Sequence, residues 1–150
     1  MTHSLRLEVK YIPSNLTHKI RKEVLWPHIK NNKFSIDIDT QKDTFHLGTY
    51  INNNIVSIGT FVKEKNKEFN NNKQYRLRAM ATDLKFKEMG YGKKLFSHAI
   101  NILKNKQIEL LWCDARLEAI PFYKKLHMKS LNKIYNIKNI GPHQTMYIHI

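Results

Sequence analysis

The chain is 150 residues long, 41% hydrophobic and 25% charged. At that length one domain over 1–150 is expected, large enough to bury roughly two thirds of its unfolded surface. No apolar run approaches the roughly 18 residues of a membrane span, and the charged segment Met1–Lys10 does not read as a signal peptide. A single cysteine, Cys113, rules out an internal disulfide framework and a cysteine-built zinc site, so a reducing, cytoplasmic setting is expected. The net charge of +14 favours polyanions as partners.

The first element is a strand at Leu5–Val9, which alternates polar and apolar. Ser14 is placed to cap a helix over Asn15–Leu25, with Leu16, Ile20, Val24 and Leu25 at helical spacing and Pro27 closing it. Asn31–Lys42 reads as a polar loop. Thr44–Ile51 and Ile55–Lys63 read as strands joined by an asparagine turn, a hairpin. Glu64–Lys73, charged and Asn-rich, is expected to be a solvated loop. A strand over Tyr75–Thr82 and a helix over Lys93–Asn105 follow, the helix with Leu95, Phe96, Ala99, Ile102 and Leu103 on one side. A strand at Ile108–Cys113, a short helix around Phe122, and strands at Ile134–Ile137 and Thr145–Ile150 complete the chain. The order is β, α, β, β, β, α, β, α, β, β, an α/β (α+β) arrangement without internal repeats.

The chemistry concentrates in Lys87-Glu88-Met89-Gly90-Tyr91-Gly92-Lys93, between a strand and a helix. Glycine lets the backbone approach an anion. The free N–H groups and the dipole of a helix N-terminus favour negative charge there. The loop is neither the dinucleotide fingerprint, which needs a third glycine, nor a Walker A loop. Lys85, Lys87, Lys93 and Lys94 make its surroundings basic. Elsewhere the lysines are scattered. Nucleic-acid binders concentrate Arg and exposed aromatics on one face, so most of the charge reads as composition, and neither nucleic acid nor a membrane is the expected partner.

This loop, the later block Ala119, Phe122 and Tyr123, and the order of elements resemble the GNAT superfamily of N-acetyltransferases. Ile140-Gly141-Pro142-His143 followed by Met146 is similar to small members of the ElaA-like kind. The resemblance covers nearly the whole chain. It implies a mixed sheet of about seven strands flanked by three to four helices, with a splay between the fourth and fifth strands. It implies acetyl-coenzyme A (acetyl-CoA) as donor and a primary amine of a small molecule or protein as acceptor. The pyrophosphate would lie on Lys87, Glu88, Met89, Gly90, Tyr91, Gly92 and Lys93. The pantetheine arm would lie along Met80, Ala81 and Thr82, with Arg116, Ala119 and Phe122 also near the cofactor. A backbone N–H at Met80 or Ala81 would polarise the thioester carbonyl.

Tyr123 falls where the resemblance puts the acid for the leaving thiolate, and a phenol is protonated at neutral pH. Some members carry a carboxylate base in the strand matching Tyr75–Thr82, which here has none. His46 and His143 are the candidate bases, each in or beside a strand. Lys87 stands where the signature has Arg or Gln. Arg116 takes a position that is often Asn, and His127-Met128 replaces Gly-Phe. Cys113 reads as a core thiol. The histidines lack metal spacing, and no metal is expected. Two alternatives stay open: an acyl-CoA-binding module of the same fold without turnover, and a basic nucleic-acid-binding protein. The acceptor's identity is not legible, and a homodimer, common in the family, stays open.

Overall fold

In the computed structural model, residues 6–150 are described. The backbone gathers into two compact units, one taking the chain to Val62 together with Arg78–Asn101, the other Lys63–Leu77 and Ile102–Ile150. The strand Gln74–Thr82 runs through both. Seven strands form a mixed sheet in the order β1-β2-β3-β4-β5-β7-β6.

In the first unit, β1 (Leu7–Tyr11), β2 (Phe45–Ile51) and β3 (Asn54–Lys63) pair antiparallel, with Gly48 between Lys10 and Ile58. The expected strand at Leu5–Val9 is thus displaced toward Tyr11; Leu5 lies outside the described residues. β4 (Gln74–Thr82) brings its last residues to this unit, where Asp83 N–H donates to the Val56 carbonyl at 2.8 Å. Ile12, Ile20, Ile58 and Ala81 form a buried cluster, with Val24, Leu25, Tyr50 and Ile55 packed against it.

The segment expected to be one helix over Asn15–Leu25 is helical but not uniform. It is a 3₁₀ turn at Ser14–Thr17, an α turn (α1, His18–Ile20) and a π turn at Arg21–Leu25. Ser14 makes no side-chain cap; its carbonyl instead accepts from the Thr17 hydroxyl at 2.6 Å. Of the apolar positions, Ile20 is buried and Val24 and Leu25 are half-buried, but Leu16 is 43% exposed, and the spacing did not foresee Arg21, which is fully buried. The π turn carries it, closing with Trp26 N–H on the Arg21 carbonyl at 2.8 Å. Asn31–Lys42 is likewise no simple polar loop: Phe34, Ile38 and Asp39 are buried, and Asp37–Thr40 forms a 3₁₀ turn. The helix α2 (Tyr91–Asn105) starts two residues earlier than its apolar pattern, and Leu95 packs on β3 where Gly59 allows it. A Cβ at Gly59 would sit 2.9 Å from Leu95 Cδ2.

In the second unit, β5 (Leu110–Arg116) pairs antiparallel with β7 (Gly141–His149) along its whole length, and β7 pairs with β6 (Lys129–Ile137). Both closing strands are longer than their apolar cores predict. β6 is an edge strand, where polar side chains are tolerated, and its register shifts between Ser130 and Ile134. The loop before β4 is tied down by buried Gln74, whose amide donates to the carbonyls of Asn66, Phe69 and Asn71 and accepts from Asn66 N–H at 2.8 Å. β4 pairs with β5 in parallel only at Gln74–Leu110, Tyr75–Leu111 and Arg76–Trp112. The strands run on to Thr82 and Arg116 without further pairing, which is the expected splay. Between β5 and β6 lies α3 (Ile120–Lys125). Among the described residues no helix is long and apolar enough to cross a membrane.

Candidate active site

In the first unit, the basic loop lies between a 3₁₀ turn, Leu84–Phe86, and α2. Lys87, Glu88, Met89 and Gly90 are exposed. Glu88 (φ 64°) and Gly90 (φ 84°) take left-handed backbone conformations that reverse the chain into the helix. A Cβ at Gly90 would meet nothing within 4 Å, so the space over this backbone is open. Gly90 carbonyl accepts from Lys94 N–H at 3.0 Å, which leaves the N–H groups of the preceding positions free of helix partners. Tyr91, half-buried, is held to the strands: its carbonyl accepts from the Thr49 and Ser57 hydroxyls at 3.3 and 3.4 Å. Gly92 is buried and Lys93 exposed. A fixed helix start, open backbone and neighbouring lysines are the features that suit an anion. Met80, Ala81 and Thr82 end β4, just after Ala79, whose φ of 51° is a strained conformation for a side-chain-bearing residue. An open cleft of about 640 Å³ in the same unit has Lys19 and Lys85 on its lining.

In the second unit, Ala119 precedes α3 and Phe122 is 38% exposed. The half-buried Tyr123 ring meets Phe122 edge-on at 5.3 Å. Burial pushes the Tyr123 phenol far up from its ordinary value, with nearby Cys113 adding to the shift. The hydroxyl therefore keeps its proton across the physiological range. α3 ends in a left-handed cap at His127 (φ 69°), with Met128 N–H on the Tyr123 carbonyl at 3.1 Å, so histidine fills the place of the usual glycine. Cys113 is buried, and burial raises its thiol. Arg116 ends β5, half-buried and in register with His143.

The two candidate bases differ. His46 lies in the first unit, 6% exposed, with both ring nitrogens engaged. Nε2 donates to the Asp39 carbonyl at 3.2 Å, so Nδ1 accepts from the Thr60 hydroxyl at 2.8 Å. Thr60 accepts in turn from Arg21, whose guanidinium grips both Asp39 oxygens at 2.7 and 2.8 Å. Burial first, then the Arg21 charge, holds His46 below its ordinary value against the pull of Asp39. Asp39 itself is lowered: burial would raise it, but the Arg21 and Ile36 N–H bonds and the Arg21 charge outweigh that. His46 is a framework residue with no nitrogen to spare, which corrects its expectation as a base. His143, in the second unit, is 4% exposed. Its Nδ1 donates to the Gly141 carbonyl at 2.8 Å, which leaves Nε2 as the lone-pair nitrogen without a partner among the described residues.

A polar cluster not singled out in the sequence lies beside His143 in the second unit. Arg76 donates to Glu64 at 2.9 Å and to Asp114 at 2.7 Å and lies over the Trp112 ring at 4.8 Å. The Tyr135 hydroxyl donates to the other Asp114 oxygen and lies 3.4 Å from the Thr145 hydroxyl. Its ring stacks with His143 at 6.2 Å. Burial and the Asp114 bond push Tyr135 up to about 12. The members come from β4, β5, β6 and β7 and a loop, so no local motif announces them. Alternation in Trp112-Cys113-Asp114-Ala115 was the one available signal: it puts Asp114 on the face opposite the buried thiol. Among the described residues no group of three metal-ligating side chains occurs.

Comparison with known proteins gives a consistent result. The acetyltransferase (GNAT) family model matches residues 15–128. An uncharacterized N-acetyltransferase, YitI of Bacillus subtilis (strain 168), is 33% identical over 141 residues, 94% of this chain and 95% of that protein. Escherichia coli ElaA superposes with a TM-score of 0.70 at 14% identity, covering 96% and 99% of the two chains. An aminoglycoside 6'-N-acetyltransferase complexed with coenzyme A superposes with a TM-score of 0.73 at 10% identity, covering 95% and 96%.

Proposed function

The chain belongs to the GNAT acetyltransferase family and is an acyltransferase, and on that premise we propose that it transfers the acetyl group of acetyl-CoA directly to a primary amine. The observation that carries the reading is the loop Lys87–Lys93: open backbone with two left-handed residues, running into the start of a helix anchored by Thr49 and Ser57. Bound there, acetyl-CoA supplies an activated acyl group as a thioester. Lys87, Lys93 and the N–H groups of Gly90 and Gly92 hold its pyrophosphate. The backbone of Met80, Ala81 and Thr82 aligns the pantetheine arm, with Arg116, Ala119 and Phe122 beside it. An N–H at Met80 or Ala81 stabilises charge on the carbonyl oxygen.

Tyr123, a phenol protonated at neutral pH, gives its phenolic proton to the departing thiolate sulfur. His143 Nε2 takes the proton the attacking amine must lose, because Nδ1–H is already committed to Gly141. The protons then return through solvent. The lone buried Cys113 supports a reducing, cytoplasmic setting.

The reading is tested with the wild-type chain and a loop variant. Acetyl-CoA raises the Tm through binding to the native state, and Gly90→Asp abolishes the rise by bringing a negative charge over the cradle. Wild type also releases free thiol from acetyl-CoA in the presence of an amine. A chain that shows the thermal shift and no amine-dependent thiol release is the binding module without turnover. No shift at millimolar ligand overturns the assignment of the loop.

A further inference from the structure

We infer that Asp114 anchors the acceptor, holding it as an alkylammonium ion at the end of β5. The inference rests on the acetyl-transfer reading and adds the residue that senses the acceptor's charge. Asp114 stands two residues beyond the last β4–β5 pair, Arg76–Trp112, where β5 has lost that neighbour. Its side chain is 22% exposed, so a ligand can reach it. Cys113 and Ala115, buried on either side of it in sequence, point to the other face of the strand.

Two carboxylates, Glu64 and Asp114, share the single guanidinium of Arg76. Among these three groups the negative charges exceed the positive by one, with Arg116 two residues further along the same face of β5. Arg76 and Tyr135 each donate to a different Asp114 oxygen. The carboxylate is therefore fixed in direction, while each oxygen keeps a second lone pair. Such a group accepts from an ammonium N–H without reorganising. A neutral or anionic acceptor gains no comparable attraction.

A second, independent observation points to the same place. His143 is almost fully buried, and its Nε2, with no partner among the described residues, is not one of the fully enclosed atoms, so it opens toward a ligand or solvent, whereas the enclosed Arg76 Nε has no partner. Its ring stacks on Tyr135, the residue that bonds Asp114, and β7 sets Thr145 opposite Asp114 and His143 opposite Arg116. An ammonium ion held by Asp114 thus lies near the group proposed to take its proton. Asp114 binds and orients the acceptor as the ammonium; that ion loses one proton to solvent to become the attacking amine, and His143 takes the second as the C–N bond forms.

The test compares wild type with Asp114→Asn on n-alkylamines of three to six carbons, which are cations at pH 7.5, and on aniline, which is neutral there. In the variant, KM for the alkylamines rises at least tenfold, while KM for acetyl-CoA and the aniline rate hold. An equal loss on both amine classes, or an unchanged alkylamine KM, overturns the inference and leaves the acetyl-transfer reading intact. Wild type that acetylates neither class overturns both. If Asp114→Asn does not fold, Asp114→Glu decides. Moving the carboxylate outward by one methylene displaces the anchored nitrogen, so kcat/KM for every alkylamine falls while the aniline rate holds; alkylamine values equal to wild type overturn the anchor.

Discussion

Arg21 and Arg76 sit in different units, and each binds carboxylates, but their surroundings differ. Arg21 is completely buried and its partner Asp39 is 2% exposed, whereas Arg76 and Asp114 are 18% and 22% exposed. The buried network is nearly saturated. Arg21 donates to Phe34, to both oxygens of Asp39 and to Thr60; Thr60 passes on to His46, and His46 returns to Asp39. Of the guanidinium, only Nε lacks a partner. A ring of bonds this complete can pin the π turn, the Asp37–Thr40 turn, β2 and β3 to one another; its one unpartnered atom, Arg21 Nε, is buried, as is the unpartnered Arg76 Nε of the other network. The half-open network around Arg76 keeps lone pairs and surface. Polar clusters of similar composition therefore differ in exposure and in the hydrogen-bonding capacity they leave open.

The largest expected effect comes from breaking the closed network. Arg21→Met leaves the Asp39 carboxylate buried without its counter-ion and should cost about 3–5 kcal/mol in urea unfolding. The double variant Arg21→Met/Asp39→Leu should recover part of that loss, because no lone charge then remains buried. If the single variant loses under 1 kcal/mol, the network is not what holds this unit. Next in size is Tyr123→Phe, which keeps the ring and deletes only the proton. Turnover should fall roughly 10²-fold with acetyl-CoA affinity unchanged, since acid assistance acts in the transition state. Full turnover in the variant, with chemistry rate-limiting, would make Tyr123 a packing residue.

Opening the second network should be milder. Arg76→Ala should destabilise by about 1 kcal/mol, because solvent screens a half-exposed pair. A loss equal to that of Arg21→Met would erase the contrast. The smallest effect sharpens it through pH. His46 is depressed from 6.5, so below about that pH the unfolded chain binds the extra proton first. Its contribution is complete above pH 6.5 and is lost as pH falls toward the folded value. Asp39, lowered from 3.8, adds a loss only in more acid solution. His46→Gln should flatten the decline measured by urea unfolding between pH 6.5 and 5; the same slope in wild type and variant would place the titration elsewhere.

Hydrophobic periodicity located every principal strand and helix, with boundaries off by a few residues where polar ends of β6 and β7 extend the sheet. The turn into the helix at Lys87–Lys93 was legible because its signals are local: a glycine tolerant of φ 84° and a helix start within seven residues. Tyr123 is a candidate through the family resemblance of the Ala119 and Phe122 block, and His143 through its Gly-Pro turn. His46 carried no such signal, and as a histidine in a strand it read the same whether free or saturated. Only tertiary structure closed both of its nitrogens, turned Arg21 inward from a helix whose apolar spacing ignored it, and gathered Arg76, Asp114 and Tyr135 from separate strands. The physical reason is range. Backbone conformation and helix-end electrostatics are set by neighbours in sequence, whereas burial, ion pairing and a histidine's free lone pair depend on residues brought together from dozens of positions apart.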